Sequence, residues 1–229
     1  GLTIIDSNNI FQKDVIGNVR TAQEDSHDIA VLTPNGDVFV VCDGMGGHAM
    51  GEIASETVCK AVCDFWERST DEDLAVKARR ACRSASAKLD KRAFGMNHVQ
   101  MGTTLVMASI DGNTITITHC GDSRCYLMRG DDLVYQTKDH VGDSFGWEIV
   151  TKCFFSYKPA AVPDIAQFEI KPGDRILLCS DGLYKSMPPE ILKARMMDDK
   201  TPEELLDVYD FLCEKNGDDN YSAILAFVE

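Results

Sequence analysis

Short apolar runs that end in a carboxylate and a glycine recur along this chain. Val38–Cys42 is a continuous run of five apolar residues, and Asp43 and Gly44 follow it directly. Such a run predicts a strand that is buried on both faces. The run Arg175–Cys179 leads to Asp181–Gly182 in the same way. Carboxylates therefore stand where predicted strands leave the core, which is a common position for ligand-binding residues.

Other carboxylates stand at the ends or the starts of further predicted strands. The run Thr114–Thr118 is followed by Gly121–Asp122. Glu24 and Asp25 precede the run Ile29–Leu32, and Asp219 precedes the run Tyr221–Val228. Neighbouring strands of an antiparallel sheet run in opposite directions, so these groups converge if the strands are neighbours. Like charges that close repel one another unless a cation lies among them, which predicts an oxygen-ligand site for Mg²⁺ or Mn²⁺. The converging carboxylates would be Glu24, Asp25, Asp43, Asp122, Asp181 and Asp219.

A single Asp-Gly pair is more often an ordinary turn than a metal ligand. The metal hypothesis therefore depends on the repetition of the pattern after buried strands. Its best local support is an Asn-Gly pair that predicts a hairpin between His27–Leu32 and Val38–Cys42. This hairpin places Glu24–Asp25 and Asp43 at the same end.

Turn residues and helical periodicity divide the rest of the chain into further hairpins and helices. Strands outnumber helices and pair locally, which predicts mostly antiparallel sheets with helices in a layered sandwich. The other predicted hairpins join Thr103–Ile110 to Thr114–Thr118, Arg124–Met128 to Leu133–Gln136, and Ile165–Ile170 to Arg175–Cys179. Helices are predicted from Glu52, over about Asp71–Ala93, and over Pro188–Met196 and Pro202–Cys213; Tyr221–Val228 is expected to close the sheet, and residues 137–163 to be irregular.

The composition favours one domain and argues against several classes of partner. At 229 residues, 44% of them hydrophobic, residues 1–229 suffice for a single domain with a sizeable core, although residues 1–16 carry little pattern. The net charge of −14 argues against nucleic acids and anionic membranes, and an anionic substrate would need local positive charge. No run reaches the roughly 20 apolar residues of a membrane span, and residues 1–6 do not resemble a signal peptide.

The cysteines indicate the redox environment. There are nine of them, mostly inside apolar runs, and no two form a C-x-x-C pair. This pattern predicts buried, reduced thiols in a cytoplasmic protein. It argues against a zinc site and against a cysteine nucleophile.

Seven short motifs stand in a fixed order along the chain. Each is weak alone, but together they resemble the metal-dependent protein phosphatases of the PP2C (PPM) family, in their bacterial style. The resemblance runs from about Gly17 to the last residue. The motifs are Arg20–Asp25, Asp43–His48, Gly51–Ser55, Gly102–Thr104, Gly121–Arg124, Ser180–Leu183 and Asp219–Ser222.

The resemblance implies an α+β fold, a four-layer α-β-β-α sandwich of two mostly antiparallel sheets flanked by helices. It implies hydrolysis of phosphoserine and phosphothreonine in proteins by a metal-activated water at a binuclear Mn²⁺ or Mg²⁺ centre, without a covalent intermediate. Asp43 would bridge both ions. Asp181 and Asp219 would complete one site, and Glu24, largely through water, and the carbonyl group of Gly44 would complete the other.

Three further roles follow from the resemblance. Asp122 matches a position that helps to hold a third, weaker ion, and Asp25 would orient metal-bound waters. Arg20 would clamp the phosphate group, because a guanidinium group offers two coplanar donors to phosphate oxygens. Without the family context, a surface ion pair between Arg20 and Glu24 or Asp25 is the better explanation. Asp43, Asp25 and Arg20 are thus the expected catalytic residues.

The chain departs from the family pattern in ways that affect the chemistry. Met45 stands where eukaryotic members often have a histidine proposed as general acid, so His48 or solvent would protonate the leaving group. Gln23 replaces the usual asparagine, and the segment between His140 and Pro163 is shorter than the usual flap subdomain. His119, His140 and Arg124 are expected to be structural, with Arg124 paired to a carboxylate.

Two other functions remain open at this point. The short flap is compatible with a phosphatase for small phosphomonoesters or phosphotyrosine. A non-catalytic pseudophosphatase that binds metal and phosphoprotein is the second alternative. For the leading hypothesis, the expected partners are a phosphorylated protein substrate and a cognate serine/threonine kinase, with neither nucleic acid nor membrane, and the protein is expected to be a cytoplasmic monomer.

Overall fold

A computed structural model describes residues 3–4, 16–23, 28–32, 38–216 and 221–228. The strands are β1 (Thr3–Ile4), β2 (Ile16–Gln23), β3 (Asp28–Leu32), β4 (Val38–Met45), β5 (Gly102–Thr103), β6 (Leu105–Asp111), β7 (Thr114–Cys120), β8 (Arg124–Arg129), β9 (Asp132–Gln136), β10 (Val141–Ser144), β11 (Trp147–Val150), β12 (Phe154–Phe155), β13 (Asp164–Glu169), β14 (Arg175–Cys179) and β15 (Ser222–Val228). The helices are α1 (His48–Arg68), α2 (Leu74–Phe94), α3 (Asp181–Tyr184), α4 (Pro189–Met196) and α5 (Pro202–Lys215).

These strands form two main sheets, and every pairing between described strands is antiparallel. The first sheet runs in the order β1-β3-β4-β6-β7-β13, with β5 attached to β4 and β12 to β5. The second sheet runs in the order β2-β15-β14-β8-β9. Strands β10 and β11 pair with each other as a separate hairpin. The predicted hairpin of β3 and β4 is confirmed.

Side chains of β4 show how the layers are built. Val38, Val40 and Cys42 pack with α1 and α2, whereas Phe39 and Val41 pack against residues of the second sheet. Successive side chains of a strand point to opposite faces of its sheet. A strand covered on both faces therefore needs the unbroken apolar run that the sequence contains.

The second sheet is covered in the same manner. Leu177 and Cys179 of β14 pack with α3, α4 and α5, whereas Ile176 and Leu178 face the core between the sheets. The resulting order is helices, first sheet, second sheet, helices. The predicted four-layer α-β-β-α sandwich is confirmed.

The helices begin slightly apart from their predicted limits. α1 starts at His48 instead of Glu52, because the glycine-rich turn leads directly into its first turn. α2 starts at Leu74, and Asp73 caps it by accepting from the N–H groups of Ala75 and Val76. None of the helices in the described part of the chain has the length and apolar content that crossing a bilayer requires.

One predicted hairpin is wrong. β13 pairs with β7 in the first sheet, whereas β14 pairs with β8 and β15 in the second sheet. The turn between them, residues 170–174, therefore crosses from one sheet to the other. A fully buried carboxylate holds this crossing: Asp174 accepts from Arg129 through two bonds of 2.8 Å and from the N–H of Lys171 at 2.8 Å.

Residues 137–163 are not irregular throughout, which corrects a second prediction. β10 and β11 form a hairpin around Phe145 and Gly146, both of which have positive φ, 52° and 82°. Such a pair of angles suits a two-residue hairpin turn, in which asparagine or glycine is usual at the first position. Because phenylalanine is unusual in that position, sequence analysis did not predict the turn. β15 completes the second sheet by lying between β2 and β14.

Replacing Asp174 with Ala is expected to lower the free energy of unfolding by about 3 kcal/mol, because it leaves the Arg129 guanidinium group and the Lys171 N–H without their buried partner. Urea unfolding followed by tryptophan fluorescence measures this loss. Glu169→Ala is the matched control, since Glu169 is exposed and only its backbone carbonyl accepts from Arg129. Equal stability of the two variants would contradict the role given to Asp174.

Candidate functional site

Asp43 lies at the end of β4, and its backbone is fixed on both sides. Its N–H donates to the hydroxyl of Thr104 at 3.1 Å, and its carbonyl accepts from the N–H of Thr104 at 2.9 Å. The same Thr104 hydroxyl lies 2.7 Å from the hydroxyl of Ser123. Because Ser123 adjoins Asp122, this chain of hydrogen bonds ties the Asp43 backbone to the turn that carries Asp122.

The glycines after Asp43 allow two backbone segments to touch. A Cβ atom on Gly44 would lie only 1.9 Å from the carbonyl oxygen of Gly51, in the first turn of α1. Gly46 and Gly47 have φ angles of 107° and 88°, which side chains disfavour. The chain can therefore turn sharply and place the N-terminus of α1, with its partial positive charge, directly beside the end of β4.

Asp122 and Asp181 are close enough to affect each other. Asp122 is buried, and this burial, together with the charge of Asp181, raises the pKa of Asp122 to about 6. Tyr184 lies on α3 with Asp181, and its hydroxyl donates to the backbone carbonyl of Asp122 at 2.7 Å. The short helix α3 thus holds the Asp122 turn against Asp181.

Asp181 itself follows β14 and opens α3. The preceding Ser180 is bonded to β15, since its N–H donates to the carbonyl of Ser222 and its hydroxyl accepts from the N–H of Ser222, both at 2.9 Å. The start of β15 therefore lies beside Asp181. Asp219, three positions before Ser222, lies outside the described residues.

The remaining predicted site residues are only partly described. Arg20 lies on β2 opposite Leu225 of β15, whereas Glu24 and Asp25, like Asp219, lie outside the described part of the chain. The strand ends that flank them are described. Gln23 stands opposite Ser222, and Asp28 stands opposite Asp43. The end of β2 therefore lies beside the start of β15, and the start of β3 lies beside the end of β4, as predicted. The roles of the individual residues stay predictions.

The described carboxylates fit a hard divalent cation. Asp43, Asp122, Asp181 and the carbonyl of Gly44 offer only oxygen atoms, which Mg²⁺ and Mn²⁺ prefer. Burial and then the negative charge of Asp181 disfavour the ionised form of Asp122 and raise its pKa. A bound cation would oppose both effects by compensating the negative charge.

A second group of ligand-type residues lies nearby, in His119, His140 and Asp164. Among the described residues it is the one trio of His, Cys, Asp or Glu whose ligand atoms all lie within 4.8 Å of one another. Nδ1 of His140 accepts from the N–H of Gly121 at 2.9 Å, so the proton is on Nε2, which donates to Asp164 at 2.8 Å. Both ring nitrogens are thus engaged. The group fixes the Gly121–Asp122 turn, in agreement with the predicted structural role of the histidines.

His119 completes this support. Its ring stacks on that of His140 with centroids 4.4 Å apart, and its Nε2 lies 2.7 Å from the carbonyl of Lys138. Burial lowers the pKa of His119, which keeps the ring neutral. The predicted carboxylate partner of Arg124 is also confirmed, because Asp139 accepts two bonds from it at 2.9 and 2.7 Å.

Lys185 is a residue of the site that sequence analysis missed. Its ammonium group lies 3.0 Å from Asp181 and 3.5 Å from Glu148 on β11. It therefore links the β10–β11 hairpin to the carboxylate cluster. The spacing of four residues between Asp181 and Lys185 is the signal that identifies such a pair once a helix is recognised there.

This chain is similar to known proteins both in sequence and in fold. A family model described as protein phosphatase 2C matches residues 19–225. The serine/threonine protein phosphatase PstP of Mycobacterium tuberculosis is 29% identical over 93% of this chain, which spans only 43% of that relative's length. The serine/threonine phosphatase stp of Listeria monocytogenes is 28% identical, with 91% of each chain covered. A solved catalytic domain of PstP, in complex with two manganese ions, has a TM-score of 0.76 at 25% identity and covers 93% of this chain and 99% of its own.

The raised pKa of Asp122 predicts the pH dependence of stability in the metal-free protein. The folded protein binds this proton more tightly than the unfolded chain, so its free energy of unfolding should rise as pH falls from about 6 towards 3.8. Asp122→Asn removes the titration. At pH 7 in EDTA the variant should be more stable than the wild type, by at most about 3 kcal/mol.

Urea unfolding of both proteins across this pH range tests the prediction. The difference in stability between variant and wild type should shrink as pH approaches 4. A difference that is the same at pH 7 and pH 4 would show that the carboxyl group of Asp122 has an ordinary pKa.

Proposed function

Because the chain belongs to the protein phosphatase 2C family, we propose that it hydrolyses phosphoserine and phosphothreonine in proteins, with Mn²⁺ or Mg²⁺ as cofactor. The observation that carries the proposal is the hydrogen-bonded frame of Thr104, Ser123 and Tyr184, which ties the Asp43 backbone and the helix of Asp181 to the turn that carries Asp122. The relatives in Mycobacterium and Listeria, both described as serine/threonine phosphatases, support this choice over the two alternatives.

Two ions would be held by the carboxylates and by one backbone carbonyl. In the proposal Asp43 contacts both ions, Asp181 and Asp219 complete one site, and Glu24 and the carbonyl of Gly44 complete the other. When bound, the ions supply the Lewis acidity that activates water and neutralises charge on the transferred phosphoryl group. The two manganese ions bound to the PstP catalytic domain support Mn²⁺ in this role.

The chain's own residues would hold and orient the reacting groups. Arg20 is proposed to bind the phosphate oxygens, and Asp25 to orient water. Asp122 is proposed to help hold a third, weaker ion. Lys185 adds positive charge beside Asp181, in a chain whose net charge of −14 would otherwise repel a phosphoprotein.

The wider setting is part of the same proposal. We expect residues 1–229 to form one phosphatase domain that acts as a monomer on phosphorylated proteins, opposite a cognate serine/threonine kinase. Nine cysteines without a disulfide, eight of them buried, support a reducing, cytoplasmic location. The acidic charge argues against nucleic acid or membrane as partner.

The proposal predicts release of phosphate from a phosphothreonine peptide with Mn²⁺ or Mg²⁺, and none with EDTA. Asp43→Asn should lower kcat by about 100-fold or more, since it removes one charge from the centre of the carboxylate cluster. Malachite-green detection of phosphate under saturating peptide measures both effects.

Asp111→Asn is the matched control, because Asp111 is an exposed carboxylate and the last residue of β6. It should leave turnover unchanged. Metal-dependent release that survives intact in Asp43→Asn would refute the assigned site. Absence of release from the wild type with either ion, despite metal binding by calorimetry, would favour the pseudophosphatase.

A further inference from the structure

Helix α2 differs in charge from the rest of the molecule. It carries seven Lys or Arg residues and one acidic residue, Asp90, in a chain whose net charge is −14. Arg80 is paired with Asp71 at 2.8 Å, and Lys77 lies over the ring of Trp66. The other cations are exposed and form no ion pair with a described residue; they are Arg79, Arg83, Lys88, Lys91 and Arg92.

The last part of α2 concentrates this charge on one side. Lys88, Lys91 and Arg92 are three and four positions apart, so they project from the same face of the helix. They also line a groove of about 680 Å³ against α1. Two acidic residues also line the groove, Asp64, which is paired with Lys60 at 3.0 Å, and Glu67, against five Lys and Arg residues. This face therefore offers unpaired positive charge to an external anion.

Exposed aromatic rings lie at the C-terminal end of α2. Phe94, the last residue of α2, is 66% exposed, and Tyr157 is 46% exposed. The ring of His98 lies between them, 4.9 Å from Phe94 and 5.6 Å from Tyr157. Asp90, the single carboxylate of α2, accepts from the N–H of Tyr157 at 2.8 Å. It holds the Tyr157 backbone beside α2, and its single negative charge is outnumbered by the positive charges of Lys88, Lys91 and Arg92.

The backbone under the rings is strained. Asn97, His98 and Tyr157 have φ angles of 59°, 60° and 61°, and only one other described non-glycine residue, Phe145, has a positive φ. Such conformations persist where the surrounding structure enforces them, and they concentrate at functional surfaces. Here two of the three strained residues, His98 and Tyr157, carry exposed rings.

This surface lies beside the carboxylate end of the sandwich. The chain runs from His98 to β5, which pairs on one side with Gly44 and Met45 and on the other with β12, two residues before Tyr157. A Cβ atom on Gly46 would lie 3.2 Å from the carbonyl of Gln100. The segment that follows the aromatic group thus packs directly on the active-site loop.

We propose that the surface formed by Lys88, Lys91, Arg92, Phe94 and Tyr157 is a docking site for an acidic segment of the phosphoprotein substrate, outside the phosphorylated residue itself. The inference rests on the proposed phosphatase function and specifies its substrates. Charge complementarity selects the partner, because a positive patch on a strongly negative protein attracts and orients an acidic chain. The aromatic rings bind an apolar side chain within that segment.

Two phosphothreonine peptides of equal length test the proposal on the full chain with Mn²⁺. One carries four Glu residues beside the phosphosite, and the other carries four Gln residues. For the wild type at low salt, KM for the Glu peptide is expected to be about fivefold lower, with similar kcat, and the preference should shrink as salt is added. Lys91→Glu/Arg92→Glu should abolish or reverse it.

The chain offers closely matched controls. Lys200→Glu/Lys215→Glu changes net charge equally, and both lysines are exposed beside the acidic helix α5, Lys215 in its last turn. This variant should keep the preference. Phe94→Ala should raise KM for a Glu peptide with one Leu about threefold, whereas Phe211→Ala, whose ring is 63% exposed on α5, should not.

Turnover of p-nitrophenyl phosphate separates failure of this inference from failure of the proposed function. If the wild type releases no phosphate from any substrate with Mn²⁺, the phosphatase function itself is wrong. If small-substrate turnover is normal and the preference for the Glu peptide is absent, or is equal in Lys91→Glu/Arg92→Glu, the docking site is refuted. Binding of anionic vesicles that depends on these cations, without peptide preference, would also overturn it.

Discussion

Repulsion between carboxylates at one end of the sandwich is the constraint on which the rest of the structure depends. Asp122 is buried beside Asp181, and its burial, together with the charge of Asp181, raises its pKa. Hydrogen bonds hold these groups in place. Thr104 and Ser123 tie the Asp43 backbone to the Asp122 turn, and the Tyr184 hydroxyl on α3 donates to the carbonyl group of Asp122. Two sheets buried on both faces give these supports a fixed frame.

The same constraint organises charge over the whole molecule. The carboxylates attract cations, but they also repel an anionic substrate. Positive side chains beside the site are therefore needed to attract that substrate. Lys185 supplies it inside the cluster, and α2 supplies it on the outer surface. On the other outer layer, α5 has five acidic residues and one lysine. The two outer faces therefore differ in sign, which orients an approaching acidic chain.

Much of the fold and part of the site follow from the sequence, because they depend on local patterns. The run Val38–Cys42 specified a strand buried on both faces, and the repeated strand-carboxylate pattern predicted that Asp122 and Asp181, which affect each other's charge, lie close together. Sequence analysis missed the crossing at Asp174, because the residues of a turn do not indicate which sheet the next strand joins. Contacts between distant positions, such as Lys185 with Glu148 and His140 with Gly121, have no local signature at all.

The position of β15 has a consequence for how the protein is made. β2, near the start of the chain, pairs with β15, near its end, and the paired residues Gln23 and Ser222 are about 200 positions apart. At ribosomal rates of 5–20 residues per second, β2 waits roughly 10–40 s for its neighbour. β14 is made much later, with its neighbour β8 already present, and waits only briefly for β15. The nascent chain thus exposes the edge of β2 until β15 has been made, and an unpaired strand edge is prone to pair with other chains.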